Sequence, residues 1–177
     1  MNYQKKYNSS REFFIDYNNK LSNVLKNEHF IELEKITKFL EKNIKLKKKI
    51  FVCGNGGSAS ISNHFLCDFN KGVKNSSERK LIPKVFSLTN SIDLITAISN
   101  DIDFGQIFSQ QLENYSDKGD ILVNISCSGA SKNIINVTKY AIKNNLNIIS
   151  FIGFGNNKFM KNSSNYFKNL KTKNYGI

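Results

Sequence analysis

The sequence predicts an α/β fold in which a parallel sheet is covered by helices on both faces. From Lys49 onward, short apolar runs typical of buried strands alternate with stretches that have helical spacing. Two of these apolar runs end in loops rich in glycine or serine. The chain has 177 residues, 40% of them hydrophobic, which is enough for one well-buried core. We expect a single domain, with helices over residues 1–47 and the sheet core over residues 48–177.

Two helices are predicted ahead of the first strand. Ser9 and Glu12 have the spacing of a capping box, and apolar residues from Phe13 to Leu25 then recur at helical intervals. A second amphipathic pattern extends from about Glu28 to Lys45. These helices either pack against partner subunits or cover the sheet, and the pattern leaves both interpretations open.

The remaining elements follow from apolar runs that are bounded by turn residues. The predicted strands are Ile50–Cys53, Val85–Leu88, Ile121–Ile125, Leu146–Ile152 and Tyr166–Leu170. The predicted helices between them are Ser58–Asn70, Ile92–Ile98, Phe104–Asn114 and Ile134–Lys143, with a polar connection at Lys71–Pro83. Strands that alternate with helices in this way predict a parallel sheet.

The charge of the chain favours anionic ligands but not nucleic acid. The formal net charge is +12, which attracts anions in general. Arg11 and Arg79 are the only arginines, and the lysines are spread along the chain. One cluster, at Lys45, Lys47, Lys48 and Lys49, precedes a strand and is explained by a solvated helix end. Lysine lacks the bidentate fork that reads base edges. We therefore expect a small anionic substrate and no nucleic-acid partner.

The sequence predicts a cytoplasmic protein without a membrane segment. No apolar run approaches the roughly 20 residues of a membrane helix, and the polar N-terminus does not resemble a signal peptide. Cys53, Cys67 and Cys127 form an odd set without C-x-x-C spacing. Structural disulfides or a cysteine zinc site are therefore not expected, and a reducing compartment fits this composition.

Two strand-to-helix loops are the candidate ligand site. The first is Cys53–Ser58, here named the glycine loop; its three glycines allow close approach of a ligand, and Ser58 is expected to cap the next helix. The second is Ser126–Ser131, named the hydroxyl loop, whose three serines precede free N–H groups at a helix end. Either loop alone is compatible with a plain helix cap. Two such loops at the carboxyl edge of one sheet favour anion binding.

Three other classes of site have partial matches. Gly54–Ala59 fits the dinucleotide pattern G-x-G-x-x-A, but the end of the next strand, Leu88–Asn90, has no acid for a ribose. No Gly-Lys-Ser/Thr segment for a Walker A loop is present. A cysteine phosphatase would use Cys127 as nucleophile, but Asn133 stands where its arginine is required. Each alternative lacks its charged partner.

His64 and Asp68 form a candidate catalytic or metal-binding pair. Their i, i+4 spacing places them on one face of the helix that follows the glycine loop. Such a pair can bind zinc, act as acid and base, or be a surface pair without a further role. Two ligands are too few for a closed zinc site. His29, the other histidine, is expected to be solvated.

Three segments carry a resemblance to a known family. CGNGGSASISNHFLCDF, NDIDFGQIF and ISCSGAS resemble, in order and spacing, segments of the sugar isomerase (SIS) family, and within it the phosphoheptose isomerases. The resemblance extends from about Leu21 onward. It implies a flavodoxin-like five-stranded parallel sheet and a homotetramer with the N-terminal helices at its interfaces. It also implies interconversion of sedoheptulose 7-phosphate and D-glycero-D-manno-heptose 7-phosphate, through an enediol, in bacterial heptose synthesis.

The resemblance also implies roles for particular residues. Implied substrate contacts come from Asn55, Gly56, Gly57, Ser58, Asp68, Asn100 and Asp101, and an implied phosphate loop from Ser126, Cys127, Ser128 and Ser131. Cys127 stands where a threonine is common. His64 and Asp68 are implied zinc ligands and catalytic groups, with Asp68 in the place of a glutamate base.

Two departures from the family pattern bear on catalysis. Asp68 is one methylene shorter than the glutamate it replaces. The family's chain continues into a further helix with another ligand and a histidine, whereas this sequence stops at Asn174–Ile177. The expected explanations are a truncated product, a binder without efficient turnover, or a neighbouring protein that completes the site. The alternative function is accordingly a non-catalytic SIS protein that binds a phosphosugar or a protein partner.

Overall fold

The computed structural model describes residues 7–24, 30–154 and 157–170. Its sheet has five parallel strands in the order β2-β1-β3-β4-β5. The strands are β1 (Lys49–Cys53), β2 (Lys84–Ser87), β3 (Ile121–Ser126), β4 (Asn147–Ile152) and β5 (Tyr166–Asn169). This order is that of the flavodoxin-like class, and it confirms the fold class expected from the sequence.

Eight α-helices are present in the described residues. They are α1 (Ser10–Val24), α2 (Phe30–Lys45), α3 (Gly57–Cys67), α4 (Lys74–Ser76), α5 (Ile92–Asp101), α6 (Ser109–Tyr115), α7 (Lys132–Lys143) and α8 (Lys158–Ser163). A π-helical turn at Asp68–Val73 joins α3 to α4, and a 3₁₀ turn at Phe104–Gln106 lies between α5 and α6.

The central strands divide their side chains between two hydrophobic cores. Phe51 and Leu122 point to one face, where α5, α6, α7 and α8 pack. Ile50 and Val123 point to the other face, where α2 and α3 pack. Successive side chains of a strand alternate between faces, so strands covered on both sides need apolar residues at every position. This requirement explains why the strands read as continuous apolar runs.

Helix α1 begins as predicted but buries none of its residues. The Ser9 hydroxyl accepts a hydrogen bond from the Glu12 N–H at 3.2 Å, and the Glu12 carboxylate accepts one from the Asn8 N–H. Phe14 and Ile15 are exposed. None of the described helices combines the length and the apolar character of a membrane span.

The predicted cap of α3 was wrong. Gly56 occupies the capping position and α3 begins at Gly57, so Ser58 lies within the first turn and is only 8% exposed. The φ angle of Gly56 is +54°, a conformation that glycine adopts without strain. The tight turn that this angle permits starts the helix two residues earlier than a cap at Ser58 would.

Several element boundaries also differ from the predictions. The start of the predicted polar connection, Lys71–Pro83, is helical, because the π turn and α4 extend α3. The predicted helix Phe104–Asn114 is divided into the 3₁₀ turn and α6. Helix α8 was not predicted. Leu25, Glu28, His29 and residues 171–177, which entered the sequence predictions, lie outside the described residues.

Candidate functional site

The glycine loop and the hydroxyl loop emerge side by side at the carboxyl edge of the sheet. Strands β1 and β3 are hydrogen-bonded neighbours, with Cys53 in register with Asn124. Gly54 faces the end of β3 so closely that a Cβ atom there would lie 2.7 Å from the Ile125 carbonyl oxygen. The absence of a side chain at Gly54 therefore allows the two loops to approach each other.

The hydroxyl loop is held in a compact turn by its own serines. The Ser126 hydroxyl accepts the Gly129 N–H at 3.0 Å, and the Ser128 hydroxyl accepts the Ala130 N–H at 3.2 Å. Gly129 has a φ of +67°, and its carbonyl accepts a hydrogen bond of 2.7 Å from the Asn157 side chain. Each serine acts as an acceptor in these bonds, so its own hydroxyl proton stays available to a ligand.

The end of the hydroxyl loop presents unused backbone donors. Within the described residues, the N–H groups of Ser128, Ser131 and Lys132 donate no hydrogen bond. Ser131 and Lys132 stand at the N-terminus of α7, where the helix dipole favours negative charge. Hydroxyl protons and helix-end N–H groups together form a suitable cradle for a phosphate.

A reciprocal pair of side-chain amides joins the two loops. Asn55 Nδ2 donates to Asn133 Oδ1 at 2.9 Å, and Asn133 Nδ2 donates to Asn55 Oδ1 at 2.9 Å. Asn55 is in the glycine loop, and Asn133 is in the first turn of α7, directly after the hydroxyl loop. The amide pair therefore ties the glycine loop to the start of the helix that follows the hydroxyl loop.

The predicted substrate pair Asn100–Asp101 lies at the end of α5, and both residues are exposed. Asn100 Nδ2 donates to Asp101 Oδ1 at 2.8 Å. The segment that follows is attached to α7 through an ion pair of 2.8 Å between Asp103 and Lys132. Asn136 of α7 also donates to the Gly105 carbonyl at 3.0 Å. These contacts connect the Asn100–Asp101 segment to the helix that bears the hydroxyl loop.

The charge of Asp103 is stabilised by this attachment. The Lys132 ammonium lowers the pKa of the Asp103 carboxyl below its ordinary value, and the hydrogen bond from the Gly105 N–H lowers it further. Asp103 is therefore ionised at neutral pH, and the ion pair with Lys132 persists there.

His64 and Asp68 form the expected pair, at the end of α3 and the start of the π-helical turn. His64 Nδ1 is 2.9 Å from Asp68 Oδ2, and the two side chains are 76% and 62% exposed. They border an open groove of about 480 Å³ that also includes Ser60, Ile61 and Phe65. No hydrogen bond or ion pair in the described part of the chain links this pair to either loop.

The donors of this pair fit zinc in type but not in number. Imidazole nitrogen and carboxylate oxygen are both common zinc ligands, and zinc sites need three or four protein ligands. Among residues 7–24, 30–154 and 157–170, no group of three or more His, Cys, Asp or Glu side chains is placed to hold a metal ion. His64 and Asp68 alone are therefore an incomplete metal site.

The other predicted site residues differ in accessibility. Gly56 and Gly57 are exposed, and a Cβ atom at either position would meet open space beyond the adjoining backbone. Ser126, Cys127, Ser128 and Ser131 are half-buried in the loop. Ser58 is buried, so its hydroxyl is less accessible than its neighbours in the glycine loop.

Sequence reasoning missed Asn133 and Asn157. Asn133 follows the hydroxyl loop and Asn157 precedes α8, where its side chain accepts the Met160 N–H and donates to Gly129. The position of Asn157 three residues before Met160 is the spacing of a helix cap, and this signal can be found in the sequence. The pairing of Asn133 with Asn55, 78 positions away, has no local signal in the sequence.

The comparisons with known proteins agree with this fold. The family model described as SIS domain matches residues 12–153, which is most of the chain. The chain belongs to the SIS-domain family.

Curated SIS-domain relatives include phosphoheptose isomerases. The phosphoheptose isomerase of Campylobacter concisus (strain 13826) is 38% identical over 123 residues, which cover 70% of this chain and 64% of the relative. That of Clostridium acetobutylicum is 37% identical over 131 residues, which cover 73% of this chain and 65% of the relative. The matched segments thus span less than two thirds of the length of these relatives.

Solved structures of SIS-domain proteins share the whole fold. The phosphoheptose isomerase of Neisseria gonorrhoeae superimposes with a TM-score of 0.78 and 25% identity, over 94% of this chain and 86% of the other. The phosphoheptose isomerase of Francisella tularensis gives a TM-score of 0.80 at 24% identity, over 95% and 88% of the two chains. At 24% identity, the second likeness shows the fold alone.

Proposed function

We propose that this chain is an aldose–ketose isomerase that interconverts sedoheptulose 7-phosphate and D-glycero-D-manno-heptose 7-phosphate. The observation that carries the proposal is the Asn55–Asn133 amide pair, which joins the glycine loop to the hydroxyl loop. A phosphorylated sugar, with an anionic end and a row of hydroxyls, is complementary to two such neighbouring loops. The names of the Campylobacter and Clostridium relatives support the same activity.

In this proposal the hydroxyl loop binds the phosphate and the glycine loop binds the sugar. The anion is surrounded by the hydroxyls of Ser126, Ser128 and Ser131, by the helix-end N–H groups and by the half-buried Cys127. Asn55, Gly56, Gly57 and Ser58 contact the sugar on one side, and Asn100 and Asp101 contact it on the other. The net charge of +12 favours the approach of this anionic substrate. Binding at both ends orients the carbons that react.

Asp68 is the proposed base, with His64 as its hydrogen-bonded partner. The carboxylate removes a proton from C1 of the ketose. The electrons of the broken C–H bond form the C1–C2 double bond of an enediol, and the C2 carbonyl oxygen is protonated. Return of a proton to C2 and loss of the C1 hydroxyl proton give the aldose, with no net oxidation. Because Asp68 is shorter than a glutamate, a misplacement of about 1 Å is expected to slow turnover on the order of 100-fold.

Zinc is part of the proposal. His64 and Asp68 supply two donors of suitable chemistry, 2.9 Å apart. When bound, zinc polarises a carbonyl oxygen and stabilises the charge that develops there. No further His, Cys, Asp or Glu donor joins this pair among the described residues of a single chain.

The proposal also covers assembly and cellular role. A single SIS domain over residues 1–177 would assemble as a homotetramer through the N-terminal helices, and the exposed Phe14 and Ile15 of α1 support this. A cytoplasmic location fits the three free cysteines. The substrate pair corresponds to heptose synthesis for lipopolysaccharide or capsule.

Turnover in D₂O tests the proposed function. The protein is incubated with sedoheptulose 7-phosphate, with and without zinc, and followed by proton NMR. We expect the aldose to appear with deuterium at C2, because the enediol takes a solvent deuteron. Asp68→Asn should reduce the rate by about 10²–10⁴-fold. Asp93→Asn, an exposed control on α5, should retain the rate. Absence of both product and exchange would contradict the isomerase.

A second candidate is a non-catalytic SIS protein that binds phosphosugars or a protein partner. The observation that favours it is the incomplete metal site, since the described residues supply only two donors. The same samples distinguish the two functions. A binder would show a higher thermal midpoint with sedoheptulose 7-phosphate and no deuterium incorporation, and Asp68→Asn would leave its binding unchanged.

A further inference from the structure

The side chain of Asn133 has a fixed orientation. Its exposed fraction is 1%, and its Oδ1 accepts the backbone N–H of Ile134 at 2.9 Å. Rotating the amide by 180° would bring Nδ2 against this N–H, so that two donors would face each other in a buried place. Such an arrangement is costly. The backbone of α7 therefore determines which side of the Asn133 amide is oxygen and which is nitrogen.

Asn133 in turn determines the orientation of Asn55. Each amide donates to and accepts from the other at 2.9 Å. If Asn55 alone were reversed, oxygen would face oxygen and nitrogen would face nitrogen, and both hydrogen bonds would be lost. The backbone at the start of α7 thus fixes the buried Asn133 amide, and this amide fixes the half-buried Asn55 of the glycine loop.

The pair leaves Asn55 with hydrogen-bonding capacity for a ligand. A side-chain amide has two N–H groups and two acceptor positions on its oxygen. The pair uses one N–H and one acceptor position of Asn55, and no other partner for this amide is found in the part of the chain that the structure describes. One donor and one acceptor remain in a fixed arrangement. This combination can accept from one hydroxyl and donate to another.

We propose that Asn133 is a positioning residue that fixes the Asn55 amide for recognition of the sugar hydroxyls. This inference rests on the proposed function, because it assumes that Asn55 contacts the sugar. Asn133 itself is buried and acts through Asn55. Its loss should therefore weaken the binding of the sugar part of the ligand and leave phosphate binding unchanged.

The test compares two ligands and uses the ratio of their dissociation constants. Binding of sedoheptulose 7-phosphate and of inorganic phosphate is measured by calorimetry or NMR titration for the native chain and two variants. Asn133→Leu has a side chain of similar volume but no polar side-chain atoms. It should weaken the binding of the sugar phosphate about tenfold relative to that of phosphate, because one hydrogen bond to the sugar is lost. Asn133→Asp keeps an acceptor for the N–H groups of Asn55 and Ile134, but it places a second oxygen opposite Asn55 Oδ1 and so no longer fixes the orientation of the Asn55 amide. Its charge should weaken the binding of both ligands, and the ratio should shift in the same direction as in Asn133→Leu.

A double-mutant cycle examines whether Asn133 acts through Asn55. The single substitution Asn55→Ala should weaken the binding of the sugar phosphate, because the contacting amide is removed. Adding Asn133→Leu to Asn55→Ala should then have no further effect on the ratio, since there is no amide left to orient. Residues that act independently would instead give additive effects.

The outcomes separate this inference from the proposed function. The positioning role alone is overturned if the native chain binds sedoheptulose 7-phosphate and Asn133→Leu leaves the ratio unchanged. Additive effects in the double-mutant cycle overturn it as well. Equal weakening of both ligands would show a merely structural role. A native chain that binds phosphate but not sedoheptulose 7-phosphate overturns both the proposed function and this inference. If Asn133→Leu does not fold, the ratio for Asn133→Asp decides, because an unchanged ratio in that variant overturns the positioning role.

Discussion

Ser128 illustrates how a single residue defines the type of ligand that the hydroxyl loop accepts. Its hydroxyl oxygen accepts the Ala130 N–H at 3.2 Å, which keeps the loop compact. Its proton remains available to donate, and its own backbone N–H has no acceptor in the described residues. A carboxylate at this position would offer acceptors only and would repel a phosphate.

We expect Ser128→Asp to weaken the binding of sedoheptulose 7-phosphate by at least about 100-fold, because like charges placed together cost several kcal/mol. The fold should be retained, since Ser128 is half-buried in a loop. Ser76→Asp, which adds the same charge at an exposed position in α4, is the matched control and should bind normally. Calorimetry measures both. Equal affinities of the two variants would contradict a phosphate site in this loop.

The sequence predicted some residues of the site and not others, for a physical reason. Glycines and serines that directly follow apolar strands are a local signal, so the glycine loop and the hydroxyl loop could be predicted. His64 and Asp68 were also paired correctly from their helical spacing, and the pair distance is 2.9 Å. Asn133 could not be paired with Asn55, because that contact depends on the neighbouring positions of β1 and β3 in the sheet. The predicted ligand roles of all these residues remain predictions.

At the scale of elements, the strands were easier to predict than the helices. Strands buried on both faces need continuous apolar runs, and β1 and β3 differ from their predicted bounds by a single residue. Helix α8 has only six residues, several of them polar, and its one buried residue is Met160. So short a helix lacks the periodicity on which sequence prediction depends.

The attachment of the 3₁₀ turn to α7 gives a pH-dependent prediction. The folded-state pKa of Asp103 is lowered, chiefly by Lys132, so its ionised form stabilises the folded state above the unfolded pKa. This contribution is lost as the pH falls through the folded-state pKa. We expect the native protein to have a thermal midpoint slightly higher than that of Asp103→Asn at pH 7. The difference should begin to shrink at about pH 4 and should be lost only below the lowered folded-state pKa.

Scanning calorimetry from pH 7 to pH 3 measures this difference. Asp103→Asn keeps an oxygen for the Gly105 N–H and removes the ion pair with Lys132. Lys132→Met should show an intermediate pH dependence, because the Gly105 N–H still bonds the carboxylate. A midpoint difference that stays constant over the whole range would contradict the role of the ion pair. The effect should be small, because exposed ion pairs contribute little.

At the scale of the whole molecule, we expect the exposed apolar residues of α1 to be buried by association with other subunits. The helix buries no residue in the single chain, and Phe14 is 65% exposed. We expect Phe14→Glu to lower the molar mass measured by light scattering from that of the tetramer, because the buried carboxylate would oppose association. Asn19→Glu adds the same charge at an exposed polar position of α1 and should remain tetrameric. A native chain that is already monomeric would contradict the proposed assembly.

The central claim is that the glycine loop and the hydroxyl loop bind the two ends of one sugar phosphate. A crystal structure of the protein with sedoheptulose 7-phosphate tests it most directly. We expect the phosphate oxygens to lie about 3 Å from the N–H groups and hydroxyls of the hydroxyl loop, with a sugar hydroxyl on the Asn55 amide. A ligand whose phosphate lies elsewhere, or whose sugar does not reach Asn55, would contradict the account.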